Sequence, residues 1–160
     1  RGKTTAALGL GIRAAGVGKQ VIMVQFLKKK HSDTLDFLKK LEPELQIFRF
    51  EKAACGYSDL SPKEKQEQML NIKNALGYSR KVLDTGQCDL LILDEIFGLV
   101  DYNIITIEEL MDLIAVKKDS MDLILTGRNL PEEVREIADC VYSIQREKEK
   151  TPEILAQGIS

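Results

Sequence analysis

Short unbroken apolar runs alternate along this chain with longer stretches whose apolar positions recur every three or four residues. The runs are spaced as buried strands and the longer stretches as amphipathic helices. Strands are predicted at 21–26, 45–50, 90–95, 121–126 and 140–144. A first helix is expected over 3–15, ended by Gly16-Val17-Gly18, and a short one reaches Leu41 before Pro43 breaks it. Ser61-Pro62-Lys63-Glu64 reads as a capping box, and Met69, Ile72, Leu76, Ser79 and Leu83 keep a helical spacing behind it. Thr106-Ile107-Glu108-Glu109 caps another helix reaching about Val116, and 131–138 is a short last one. The stretch 51–60 is irregular, and the charged tail 147–160 carries no period. Strands alternating with helices predict a parallel α/β sheet in one domain spanning 1–160, with right-handed crossovers.

Two of these junctions carry chemistry. Arg1-Gly2-Lys3-Thr4-Thr5 runs directly into the first helix and has the residue types of the back half of a phosphate-binding P-loop. Gly2 lets backbone approach a phosphate, Lys3 supplies a flexible cation, and the Thr4 hydroxyl can ligate Mg²⁺. The helix aims its free N–H groups and positive dipole end at the same anion. The front of that loop and the strand ahead of it are expected upstream of residue 1, which makes about six strands in all. The second junction is Leu90-Leu91-Ile92-Leu93-Asp94-Glu95, four aliphatics ending in two carboxylates. Such a run suits a strand buried on both faces, with its acids at the ligand-binding edge, where Asp94 or Glu95 would hold a metal directly or through water. Ligand is expected along that edge, lined by the P-loop and by 27–33, 51–60, 95–103 and 127–130.

Composition narrows the classes. A net charge of −2 with both signs interspersed gives no electrostatic footprint for nucleic acid or an anionic membrane. No apolar stretch approaches the length of a membrane span. Cys55, Cys88 and Cys140 are too few and too scattered for a disulfide framework or a zinc site, so reduced, mostly buried thiols in a cytoplasmic protein are expected.

Taken together, the motifs resemble the P-loop ATP:corrinoid adenosyltransferases of cobalamin synthesis and salvage. The resemblance spans about residues 1–145. It is carried by Arg1-Gly2-Lys3-Thr4-Thr5-Ala6-Ala7-Leu8-Gly9 with Arg13-Ala14-Ala15-Gly16, and by Val24-Gln25-Phe26-Leu27-Lys28. Leu93-Asp94-Glu95, Leu125-Thr126-Gly127-Arg128 and Ile137-Ala138-Asp139 complete it. It implies a P-loop NTPase (RecA-like) three-layer sandwich, and transfer of the 5′-deoxyadenosyl group of ATP to the Co(I) of a reduced corrinoid with release of tripolyphosphate. By the same resemblance Lys3, Thr4 and Glu95 would be catalytic, with Thr4, Glu95 and neighbouring Asp94 around Mg²⁺. Arg1, Gly2, Thr5, Arg13 and Arg128 would lie near the nucleotide. The family's corrinoid-facing loop, a glycine followed by aromatics, corresponds to Gly56-Tyr57-Ser58-Asp59-Leu60, which makes Tyr57 the candidate corrinoid contact in a chain without tryptophan. A homodimer and a flavoprotein electron donor are implied as well.

Blander readings stand beside these. Lys28-Lys29-Lys30 reads first as a solvated loop, with phosphate or corrinoid contact as the alternative. His31, the single histidine, reads as loop surface. Arg128 could contact phosphate or cap a neighbouring helix, and Tyr57 could simply pack on the sheet edge. Two other functions share the motifs: a P-loop ATPase or kinase in which Glu95 positions water, and a non-catalytic ATP-binding sensor or carrier of corrinoid. Thymidine kinases fit less well, because no Cys-x-x-Cys pair is present.

Overall fold

A computed structural model of the chain describes residues 2–28, 37–50 and 59–148. Helix α1 (Lys3–Gly16) leads into strand β1 (Val21–Gln25), then a 3-10 turn (Lys39–Leu41) and β2 (Leu45–Arg49). There follow α2 (Pro62–Thr85), β3 (Leu90–Asp94), α3 (Ile96–Asp101), α4 (Ile107–Ala115), β4 (Asp122–Leu125) and α5 (Glu132–Ile137). The four strands are parallel, in the order β2-β1-β3-β4.

Successive strand residues point to opposite faces, and both faces are covered. Val21, Met23, Leu45, Leu90 and Ile92 pack with Ala7 of α1 on one side. On the other, Ile22, Val24, Leu91 and Leu93 meet Ile72, Ala75, Val82 and Leu83 of α2, together with Leu110 and Leu113 of α4. All five residues of β1 and of β3 are buried, which is why their sequences read as unbroken apolar runs. Both predicted capping boxes form. The Ser61 hydroxyl accepts the Glu64 N–H while Glu64 Oε2 accepts the Ser61 N–H, and Thr106 and Glu109 repeat the exchange at α4.

The architecture is an α/β fold consistent with a P-loop NTPase-like class, with a four-stranded described sheet against the expected six. Residues 140–144 do not form the predicted strand; they run irregularly, with Val141, Tyr142 and Ile144 exposed. A strand requires a neighbour for its N–H and C=O groups, and none stands beside this segment among the described residues. Within residues 95–103, expected to line the ligand edge, the chain winds into α3. Among the described residues no helix is long and apolar enough to cross a membrane.

Candidate active site

Parallel register assembles the site. Gln25 of β1 stands opposite Arg49 of β2 on one side and Asp94 of β3 on the other. Leu93 pairs with Leu125, so Thr126 follows β4 at the level of Asp94. Four polar residues, Gln25, Arg49, Asp94 and Thr126, thus form one row along the C-terminal edge of the sheet. Open α/β sheets bind ligands outside that edge.

Asp94 is the centre of the row and is fully buried. Thr126 Oγ1 donates to its Oδ1 at 2.7 Å, and Gln25 Nε2 donates to its Oδ2 at 3.1 Å. Gln25 is oriented in turn by Arg49, whose Nε donates to Gln25 Oε1 at 2.6 Å. From α1, Thr4 Oγ1 donates to the carboxylate, equidistant at 3.0 Å from both oxygens. Lys28 supplies the positive charge. Its Nζ donates to Thr4 Oγ1 at 3.0 Å and lies 3.7 Å from Asp94 Oδ2. A carboxylate is tolerated in such burial because hydrogen bonds and an opposite charge meet it.

Gly2 precedes α1 with φ of 97°, the left-handed conformation that glycine adopts without a steric penalty. The first turn of α1 holds no acidic residue and has no side-chain cap, a combination of N–H groups and dipole that favours an anion at this end. Glu95 also has a left-handed backbone, φ 62°, at a cost of about 1–2 kcal/mol. Thr126 holds it there: the Glu95 N–H donates to Thr126 Oγ1 at 2.9 Å. The same threonine hydroxyl therefore ties both acids of the Asp94-Glu95 pair to the end of β4.

The structure brings Thr4 and Asp94 into direct contact and sets Glu95 beside them. Lys3 is half-buried in the first turn, and Thr5 is exposed next to it. Arg13 is exposed in the last turn of α1, about 15 Å along the axis from Lys3. Arg128 is exposed in the loop after β4. Among the described residues, no hydrogen bond joins either arginine to the Asp94 cluster. Arg1 and Tyr57 lie outside the described residues, as do Lys29, Lys30, His31 and Cys55. Cys88 is buried as expected, and burial pushes its thiol up to about 11, whereas Cys140 is exposed.

Lys28 departs from its reading as a solvated residue, since its side chain is only 17% exposed and is ion-paired. Gln25, Arg49 and Thr126 were given no role by sequence reasoning. Thr126 closes the apolar run of β4 as Asp94 closes that of β3, whereas Gln25 and Arg49 interrupt apolar stretches and are aligned with them only by the strand register. Among the described residues no three His, Cys, Asp or Glu side chains converge to hold a metal. The oxygen set of Thr4 and Asp94, with Glu95 adjacent, nevertheless fits Mg²⁺, which takes few protein ligands and completes its shell with water and phosphate oxygens.

A helix N-terminus without a side-chain cap, beside a buried carboxylate at the C-terminal edge of a parallel sheet, is consistent with a P-loop NTPase-like α/β protein. A family model described as ATP:corrinoid adenosyltransferase BtuR/CobO/CobP matches residues 1–159, and the chain belongs to that family. It is 28% identical over 145 residues to the corrinoid adenosyltransferase of Escherichia coli (strain K12), covering 91% of this chain and 71% of that protein. The corrinoid adenosyltransferase CobA of Salmonella typhimurium is similar to the same extent, 28% over 145 residues with the same two coverages.

Proposed function

We propose that this protein transfers the 5′-deoxyadenosyl group of ATP to the Co(I) of a reduced corrinoid and releases tripolyphosphate. The observation that carries the reading is the Thr4–Asp94 contact at the uncapped start of α1, in a chain of this family. In the step, a Co–C bond forms at the ribose 5′ carbon as its C–O bond breaks, and the electron pair leaves on the triphosphate. No proton moves, so a general base is not needed. The protein's work is to hold the leaving group and orient the 5′ carbon.

Lys3 and the N–H groups of the first turn of α1 would bind the triphosphate, with Gly2, Arg1 and Thr5 around it. Thr4 and Asp94, joined by Glu95, would hold Mg²⁺. With Mg²⁺ bound there, charge accumulating on the leaving group is partly neutralised. Arg13 and Arg128 would reach the nucleotide from the flanks, and Tyr57 would face the corrinoid. A single nucleotide-binding domain, acting as a cytoplasmic homodimer supplied with electrons by a flavoprotein, completes the reading.

The test is a product assay under anaerobic conditions with Mg-ATP and chemically reduced cob(I)alamin. A light-sensitive adenosylated corrinoid and tripolyphosphate are expected in equal amounts. ADP and phosphate in their place would overturn the reading in favour of phosphoryl transfer. Tight ATP binding without turnover would overturn it in favour of a sensor or carrier.

A further inference from the structure

The Lys28 ammonium stands beside the Thr4 hydroxyl and the Asp94 carboxylate. It donates to Thr4 Oγ1 at 3.0 Å and faces Asp94 Oδ2 at 3.7 Å, while Thr4 itself donates to both Asp94 oxygens at 3.0 Å. These are the hydroxyl and the carboxylate suited to a hard divalent cation. The placement is built into the backbone. β1 ends at Gln25, the Phe26 N–H donates to Asp94 O at 3.0 Å, and Leu27 then turns with φ 54°, left-handed and strained for a branched side chain. Leu27 packs against Gly98 of α3, which anchors the turn beside the acidic strand end. Lys28 follows at once, and its long, otherwise flexible side chain is held 17% exposed. Ordering such a side chain costs entropy that a solvated lysine would not lose.

We propose that Lys28 is a tethered cation for the divalent-metal position, which neutralises Asp94 while no metal is bound and competes with a free metal ion for Thr4 and Asp94. The consequence is ordered affinity. A metal ion alone must displace an ammonium from a buried carboxylate, whereas a metal–triphosphate complex brings phosphate oxygens that give the displaced ammonium a new partner. Binding of the metal is thereby coupled to binding of the nucleotide. The inference rests on the reading of Thr4 and Asp94 as metal-holding residues, and it requires nothing of the corrinoid chemistry.

The experiment is Mn²⁺ binding to nucleotide-free protein, followed through the free-ion paramagnetic resonance signal, in wild type, Lys28→Met, Lys28→Gln, Lys28→Arg and Asp94→Asn. Removing a like charge within about 4 Å of the site should tighten Mn²⁺ binding about ten-fold or more in the Met and Gln variants. The Arg variant should stay near wild type, and Asp94→Asn should abolish the site. Unchanged or weaker Mn²⁺ binding in both neutral variants, with Asp94→Asn still abolishing it, overturns the role of Lys28 and leaves the metal reading standing. Undiminished Mn²⁺ binding in Asp94→Asn overturns both.

Discussion

Thr126 and Asp94 share a 2.7 Å hydrogen bond, and the threonine oxygen that donates it also accepts the Glu95 N–H at 2.9 Å. One hydroxyl therefore fixes the rotamer of the first acid and the backbone of the second. Thr126→Val keeps the shape and removes both bonds, leaving Asp94 Oδ1 with Thr4 alone and the Glu95 N–H without its threonine partner. Groups that orient metal ligands typically control about 10–100-fold of activity. The expected outcome is a fall in kcat of that size for Thr126→Val, with Thr126→Ser recovering most of it. A merely structural role would lower the urea midpoint in both variants and leave kcat unchanged per folded molecule.

Lys3 makes no ion pair among the described residues and is half-buried at the start of α1. A lysine so placed is available to an incoming phosphate and contributes little to the fold. Lys3→Ala should lower ATP affinity about 100-fold, the effect of losing charge-assisted hydrogen bonds worth roughly 2–3 kcal/mol. Its thermal midpoint should move little. Isothermal titration with ATP decides the matter, and unchanged affinity would refute the phosphate-loop reading of Gly2-Lys3-Thr4.

Much of this was legible in the residues. Apolar runs fixed β1 and β3 because strands buried on both faces cannot alternate, and the Ser61 and Thr106 caps located the starts of α2 and α4. The contact between Thr4 and Asp94 followed from motif logic. Lys28 could not be read correctly, since a run of three lysines looks solvated until Leu27 turns the first of them inward. Gln25 and Arg49 depend on register, which no single strand's sequence contains; only the pairing of Gln25 with both Arg49 and Asp94 joins them. The segment 140–144 has a strand's composition, yet a strand is defined by its neighbour, and composition does not supply one.

Gly127 follows Thr126 and presses on α3. A Cβ added to it would overlap Phe97 Cβ and stand 2.8 Å from Phe97 Cγ, which requires the backbone or the ring to move. Gly127→Ala should destabilise the protein by about 1–3 kcal/mol, as overpacking does. It should also lower activity, because the shift is transmitted to Thr126 and hence to Asp94 and Glu95. Urea unfolding together with kcat measures both, and Phe97→Gly in the same chain, which removes the Cβ as well as the ring, should relieve the clash. If the double variant is no more stable than the sum of the two single changes predicts, the contact is not the cause.

Cys88 offers a prediction about pH. Its thiol is raised from an ordinary 9.0 to about 11, chiefly by burial, and donates to Leu90 O at 3.4 Å. Folding thus favours the protonated form. Above pH 9 the unfolded chain loses this proton while the folded chain keeps it, so stability is full below about 9 and declines as pH rises toward about 11. Tyr78 is shifted in the same direction, first by burial and then by Cys88 itself; the burial part is present in any Cys88 variant and cancels, while the Cys88 part adds to the difference in the same sense. The urea midpoint of the wild type should therefore fall more steeply between pH 9 and 11 than that of Cys88→Ala; equal slopes would show that Cys88 is not held protonated. Thiolate reactivity gives an independent check, because the thiolate is the nucleophile. At pH 8, iodoacetamide should label exposed Cys140 well before buried Cys88 in the folded protein and label both at similar rates in urea.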